Sequence, residues 1–401
     1  MPPLPLFSLL KRFEKNGAAA SRLLPADSGD PGRENPGGRG KRESSRSRVF
    51  PRALRPLAIF ALLALAGGAA ALHAVPSALP QVQAWPVSPA LFDNRGDLYH
   101  IRLSTAGEYC LPLPLARMGR WLPRLAVAVE DKRFYSHPGL DPLALCRAAG
   151  QNLMRGRTVS GASTITSQLV RIAIPRPRTP ATKALEFAQA LRLEQDLDKD
   201  RILELYLNRA PLGGPYRGVE AAARGYFGKR AEDLTLAEAA ALVAMFQGPT
   251  FYRPDRNPAG LLARRDRILR QAGEDGWING EELRLALREP LPRFQAALPL
   301  SHWHFAEHSL ARAEKNRWEN GGAPLNTSLD TQIQDLLLQN LELALAGLPA
   351  DITAAGAVAD NASGALVAYV GNARFDPATG LNWVDCGNAP RSPGSTLKPF
   401  I

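Results

Sequence analysis

The longest unbroken apolar run is PLAIFALLALAGGAAALHAV, residues 56–75, where His73 is the only side chain able to carry a charge. A run of about 20 residues, rising about 1.5 Å each, crosses one bilayer as a helix. Basic residues crowd its N-terminal side, so the positive-inside rule puts residues 1–55 in the cytoplasm and everything after residue 76 outside. Ala69-Ala70-Ala71 offers a rival reading, as a signal-cleavage site. The tail before it is far longer than a usual signal n-region, which favours an uncleaved anchor at 56–76.

Past the anchor, residues 77–110 read as a linker with a short β segment. LFDNRGDLYHIRL there suggests a hairpin around Asn94-Arg95-Gly96. The pattern then turns helical over 111–290. ATKALEFAQALRLEQ (181–195) has apolar residues at helical spacing behind a Thr179 cap and Pro180 at the first helical position. DKDRILELYLNR (198–209) is amphipathic, and LTLAEAAALVAMFQ (234–247) opens with Thr235 and Glu238 in capping-box spacing and stops at Gly248-Pro249. Residues 291–350 read as a further linker. Strand-like runs, ITAAGAVAD and GALVAYVG, open a mixed segment over 351–401.

Composition changes this picture in one respect. The net charge is +11, but residues 1–56 hold twelve Lys/Arg against five Asp/Glu and so carry seven of those eleven charges. The tail is also rich in Gly, Pro and Ser, a composition that cannot bury enough apolar surface to order itself. With the basicity confined there, the remainder is not a nucleic-acid binder. Cys110, Cys146 and Cys386 are too few and too scattered for a disulfide framework or a metal cluster, and read as small buried hydrophobes.

Three segments carry candidate chemistry. In VAVEDKRFYSHPGLD (127–141) an apolar run meets the adjacent carboxylates Glu130 and Asp131. Each disfavours ionisation of the other and burial disfavours both, so one can serve as a general base; a solvated acidic turn is the plain alternative. RGRTVSGASTITSQLVR (155–171) sets hydroxyls at Ser163, Thr164 and Thr166, an amide at Gln168 and cations at Arg155, Arg157 and Arg171 where an oxyanion or phosphate would sit. A helix cap with solvated arginines explains it equally. Lys183, Glu186 and Glu194 share one face of the 181–195 helix, suited to a cation or a metal-bridged diphosphate, or to an ordinary surface pair.

Taken together, EDKRFYSHPGLD, GASTITSQL, KALEFAQALRLE, RILELYLNRAPLGG, GVEAAARGYFGK and LTLAEAAALVAMFQGPTFYRPDRNP resemble, in order and spacing, the family 51 glycosyltransferase domain of class A penicillin-binding proteins, over about residues 110–270. The NRAPLGG phrase looks most like the 1C type. The resemblance implies a mainly α, lysozyme-like helical domain behind a single N-terminal transmembrane helix, followed by the start of an α/β transpeptidase domain. It also implies polymerisation of lipid II into β-1,4 glycan with inversion and release of undecaprenyl diphosphate. The partners implied are lipid II, the growing glycan strand, the membrane and other cell-wall synthesis proteins, and the location is the bacterial inner membrane with the catalytic domain in the periplasm. By the same resemblance Glu130 is the general base, Asp131 its acidic neighbour, and Phe134 and His137 shape the acceptor side. Ser163, Thr164, Gln168 and Arg171 fall on the donor side. Lys183 and Glu186 handle the leaving diphosphate, directly or through Mg2+ or Mn2+ at Glu186. The chain departs from the family at Ser167, usually glutamine, and at Thr182, usually arginine, which implies weakened activity.

PRSPGSTLKPFI (390–401) contains Ser395 and Lys398 in S-x-x-K spacing, which in penicillin-binding proteins sets an acylated serine one helical turn from an activating lysine. The S-D-N and K-T-G partners are not in this sequence, so peptide cross-linking is not expected of it. Two other classes compete with the main reading. A lysozyme-like lytic enzyme needs no diphosphate site, and an inactive membrane-anchored scaffold would be marked by the Ser167 and Thr182 changes.

Overall fold

The computed structural model describes residues 67–68, 70–155, 163–291, 298–313 and 324–390, all within one compact unit, Leu62–Ile401. Its described helices are α1 (Leu79–Gln83), α2 (Trp121–Glu130), α3 (Pro142–Arg155), α4 (Ile165–Ala173), α5 (Pro180–Asp196), α6 (Lys199–Arg209), α7 (Val219–Phe227), α8 (Leu236–Met245), α9 (Pro258–Glu274), α10 (Gly280–Arg288), α11 (Trp303–Arg312) and α12 (Thr331–Ala344). The described strands are short: β1 (Ala90–Phe92), β2 (Leu98–Ile101), β3 (Tyr109–Cys110), β4 (Tyr216–Arg217), β5 (Leu325–Asn326), β6 (Gly356–Ala359) and β7 (Leu366–Val370). The molecule is mainly helical, as expected.

The caps read from the sequence form. Thr235 and Glu238 close a capping box on α8, and Thr179 accepts from the Thr182 N–H with Pro180 opening α5. Every residue of α8 is buried. A helix apolar all round belongs inside a core, and α8 packs there against α2, α9, α7 and α10. α4 rests on α5 and α6. The hairpin around Asn94–Gly96 is β1–β2, antiparallel, with β5 added in parallel beside β1. β6 and β7 form the antiparallel pair expected near the end.

Two expectations change. Residues 291–350, read as a linker, contain α11 and α12; α12 is capped by Asp330, Gln334 bonds Tyr369 of β7 through both its amide groups, and the helix's leucines pack beside Val370 of β7, a tertiary contact that the linker reading left out. Of the three cysteines, all free, only Cys110 is buried; Cys146 is exposed and Cys386 half-buried. Of residues 56–76 the structure describes 67–68 and 70–76, and among the described residues no helix is long and apolar enough to cross a membrane. Leu143 and Met154 of α3 are 66% and 89% exposed.

The loop between α2 and α3 lies close against α5. Gly139 has φ +98°, and a Cβ there would stand 2.9 Å from the Ala190 carbonyl oxygen and 3.2 Å from Leu191 Cα. Both its left-handed backbone and this contact demand glycine. Gly139→Ala is expected to cost on the order of 3 kcal/mol in thermal or denaturant unfolding. Gly228→Ala is the control, since Gly228 (φ +65°) has nothing within 4 Å of its added Cβ; it should lose only about 1–2 kcal/mol. Equal losses would show that the close approach contributes nothing.

Candidate active site

The adjacent carboxylates at the end of α2 part company. Asp131 turns inward and is 7% exposed. Its carboxylate accepts from the Ile165 N–H at 3.1 Å and meets His137 Nε2 at 3.0 and 3.1 Å. It therefore caps α4, together with Thr164, whose Oγ1 accepts from the Ser167 N–H at 3.1 Å and donates to the Gly139 carbonyl at 2.6 Å. A carboxylate suits a helix N-terminus, where unpaired N–H groups and the helix dipole favour negative charge.

Glu130 faces a cleft. Gln168 of α4 donates to its Oε2 at 3.0 Å, and Gln247, just past α8, donates to its Oε1 at 3.1 Å. Each amide is held from behind. Tyr206 OH donates to Gln168 Oε1 at 3.3 Å, and Arg264 Nη2 donates to Gln247 Oε1 at 2.5 Å. Burial lifts the Glu130 pKa above the ordinary carboxylate range, while the Gln168 and Gln247 hydrogen bonds and the charges of Arg264 and Arg171 oppose the rise. Of the two sources expected from the sequence, mutual repulsion and burial, loss of water is the largest cause of this shift.

Two lobes meet at Glu130. One, about 320 Å³, is lined by Asp131, Lys132, Arg133, Asp141 and Thr164; the other, about 660 Å³, by Gln168, Arg171, Arg178, Tyr206 and Gln247. Val129, Glu130, Arg147 and Ser163 line both. The smaller lobe balances its charges: Arg133 pairs with Asp141, and Lys132 with Asp275 at 2.6 Å. The larger sets Arg147, Arg171 and Arg178 around the single carboxylate of Glu130 and is cationic.

Of the residues anticipated from the sequence, Glu130, Ser163, Gln168 and Arg171 come together at the larger lobe, and Asp131 and Thr164 border the smaller one. Phe134 is 0% exposed and packs in the main core, with Lys199 Nζ 4.4 Å from its ring centroid, so its side chain does not line the cleft. Asp131, His137 and Thr164 are buried, and their hydrogen bonds hold the loop and α4 in place. Ser167 is 1% exposed and bonds back to the Thr164 carbonyl, so the missing second glutamine withdraws no amide from the cleft. Lys183 is exposed beside Phe187, and Glu186 is 8% exposed; both project from α5, and neither lines either lobe. Glu194 is committed to Thr166 and Lys199. Ser395, Lys398 and Arg157 lie outside the described residues, as does the Arg155 side chain. Arg147, Arg178, Tyr206, Gln247 and Arg264 were not anticipated; the only signal for Gln247 was its place directly before the Gly248-Pro249 stop.

The clamp on Glu130 has a measurable consequence. Gln247→Leu or Arg264→Met removes a group that favours the charged carboxylate, so the pKa of Glu130 should climb further above the usual range. Titration of the carboxyl by carbon-13 NMR should show its midpoint moving to higher pH in both variants; a midpoint that stays, or falls, would mean the amide clamp does not act on the charge.

With this geometry in view, the comparisons with known proteins are specific. Residues 100–273 match the family model described as Transglycosylase. Penicillin-binding protein 1C of Escherichia coli (strain K12) is 34% identical over 282 residues, covering 70% of this chain and 36% of its own length. Penicillin-binding protein 1A of Aquifex aeolicus is 38% identical over 214 residues (52% and 29%), and penicillin-binding protein 1B of Haemophilus influenzae 39% identical over 194 (47% and 25%). The matched part of this chain thus spans about a third or less of each of these relatives. Glu130, Gln168, Arg171, Gln247 and Arg264 all fall inside the matched region. Residues 100–273, which hold this cleft, are thus similar to the Transglycosylase family, and the chain is similar to penicillin-binding proteins over part of their length.

Proposed function

We propose that this chain is a peptidoglycan glycosyltransferase that polymerises lipid II into β-1,4 glycan with inversion. The observation that carries the reading is a carboxylate of raised pKa, gripped by two amides, at the junction of a charge-balanced lobe and a cationic one. A base must be ionised at working pH yet keen to take a proton, and a carboxylate raised by burial but held ionisable by hydrogen bonds meets both demands.

In this reading the acceptor sugar lies with its 4-hydroxyl against Glu130. Glu130 takes the hydroxyl proton as that oxygen bonds to the donor's anomeric carbon from the face opposite the leaving group, and the carbon–oxygen bond to the diphosphate breaks with its electron pair departing on the diphosphate. Arg147, Arg171 and Arg178 stabilise that developing charge. A leaving group neutralised in this way needs no protein acid, unlike that of a glycosidase. Arg147 and Arg178 also supply the positive charge that Thr182 withholds. Lys183 and Glu186, one helix away, are left for the diphosphate as it moves out. Among the described residues no three His, Cys, Asp or Glu side chains gather to hold a metal. Glu186 offers one carboxylate with Lys183 nearby, which does not make an Mg2+ or Mn2+ site by itself, and no step here depends on one.

The same reading puts the catalytic domain outside the inner membrane, behind an anchor at 56–76. The exposed Leu143 and Met154 of α3 would then lie toward the membrane that holds the lipid substrate.

Glu130→Gln should retain the fold and lower glycan polymerisation from purified lipid II by roughly 10²–10⁴-fold, read as polymer on gels. Full activity in that variant would sink the base assignment, and cleavage of finished glycan without polymerisation would support a lytic enzyme instead. Arg171→Ala should lower turnover more than it weakens acceptor binding, since its charge meets the leaving group.

A further inference from the structure

Helix α6 has two working faces. Tyr206 looks toward Gln168 and the cleft, while Leu205, Asn208 and Arg209 line a second cavity of about 260 Å³, closed by residues 83–87 and 110–114. That volume is at the small end of ligand sites. Trp85, Val87, Pro112, Leu113 and Pro114 give it apolar walls, and Arg201 and Glu204, which also line it, neutralise each other as an ion pair.

Among the cavity's buried polar side chains, Asn208 has partners and Arg209 is short of them. Asn208 is saturated by Leu113, its Nδ2 donating to the carbonyl at 2.8 Å and its Oδ1 accepting from the N–H at 2.9 Å. Glu204 is taken by Arg201 and by the Leu115 N–H at 2.9 Å. Arg209 is left over. It is 6% exposed, its Nη2 reaches only the Gln83 carbonyl at 3.3 Å, and its buried Nε has no acceptor. Burial draws its pKa down to about 10. A guanidinium presents five N–H donors, and buried charges in folded proteins are paired. The C-terminus of α6 and the Trp85 ring, 5.5 Å from the guanidinium carbon, ease the charge. Neither supplies an acceptor for Nε.

We propose that this cavity binds a small organic carboxylate, its oxygens taken by the Arg209 guanidinium and its flat or apolar body lying against Trp85 and Leu113. One uncompensated positive charge among apolar walls matches a monoanion on a carbon skeleton. It matches a phosphate dianion poorly. The inference is independent of the reaction proposed at Glu130, since none of these residues lines that cleft.

The test is calorimetric titration of the full-length chain with benzoate, with benzamide as an uncharged ring of the same shape, and with inorganic phosphate, all at matched ionic strength in chloride. Benzoate should bind saturably and benzamide about tenfold or more weakly, the worth of a charge-assisted hydrogen bond. Arg209→Gln should weaken benzoate by a similar factor, and Trp85→Ala should weaken both ring compounds. Benzamide binding as well as benzoate, phosphate binding better than benzoate, or folded wild-type protein without saturable benzoate binding would each overturn the proposal. Should Arg209→Gln fail to fold, the benzoate–benzamide comparison on the unaltered chain decides alone.

Discussion

The arrangement rests on one carboxylate, Asp131, which is buried against the start of α4 at the edge of the smaller lobe. Asp131 ties the end of α2 to the start of α4 through the Ile165 N–H, and to the following loop through His137. Hydrogen bonds to charged groups are worth about 1.5–3 kcal/mol each, and a buried charge stripped of them costs more than that. The tie leaves little freedom in the angle between the two helices, and that angle decides whether Gln168, one turn into α4, reaches Glu130. The residue beside Glu130 thus acts by fixing geometry, and a change at Asp131 would misplace an amide several ångströms away.

Given that geometry, the electrostatics of Glu130 follow from opposing terms. Removal of water raises its pKa, and two amides with two arginines hold the rise in check. Amides suit the task because they stabilise the ionised form without adding a full charge that would bind the carboxylate as a salt bridge and make it a poor base. The full charges stand one layer back, with Arg264 on Gln247, or across the larger lobe, as Arg147, Arg171 and Arg178. A base and an anion-stabilising patch can share a cleft only if the cations do not collapse onto the base, and the interposed amides keep them apart.

Much of this was legible in the sequence, where local physics decides the outcome. Thr179-Pro180, Thr235 with Glu238, and Asn94–Gly96 specify their caps and turn through neighbouring backbone groups, and those elements formed as read. What stayed hidden is relational. Gln247 lies 117 positions from Glu130 and Arg264 a further 17 on, and nothing in their local pattern distinguishes them from solvated polar residues. The division of labour between Glu130 and Asp131 came from the resemblance alone, because by residue type two adjacent carboxylates at a helix end look alike until α4 arrives to claim one. Phe134, Lys183 and Glu186 show the converse limit: a family pattern marks that a position matters, without saying whether its side chain touches the ligand or supports what does.

The long reach from Gln247 to Glu130 depends in turn on α8. Five of its ten residues, Ala237, Ala239, Ala240, Ala241 and Ala244, are buried alanines. Small side chains let neighbouring helix backbones approach closely, so α2 on one side and α9 on the other both lie against the same short helix. Arg264 on α9 donates to the Ala244 carbonyl at 3.0 Å as well as to Gln247, fastening the end of α8 where the chain turns toward Glu130. Burying that much backbone is tolerable only because its polar groups are satisfied along the helix and at both ends, by the capping box at Thr235 and by Arg264 near Ala244. The alanine-rich stretch, which in sequence looks like a featureless core segment, is therefore what brings Glu130, Gln247 and Arg264 within one chain of hydrogen bonds.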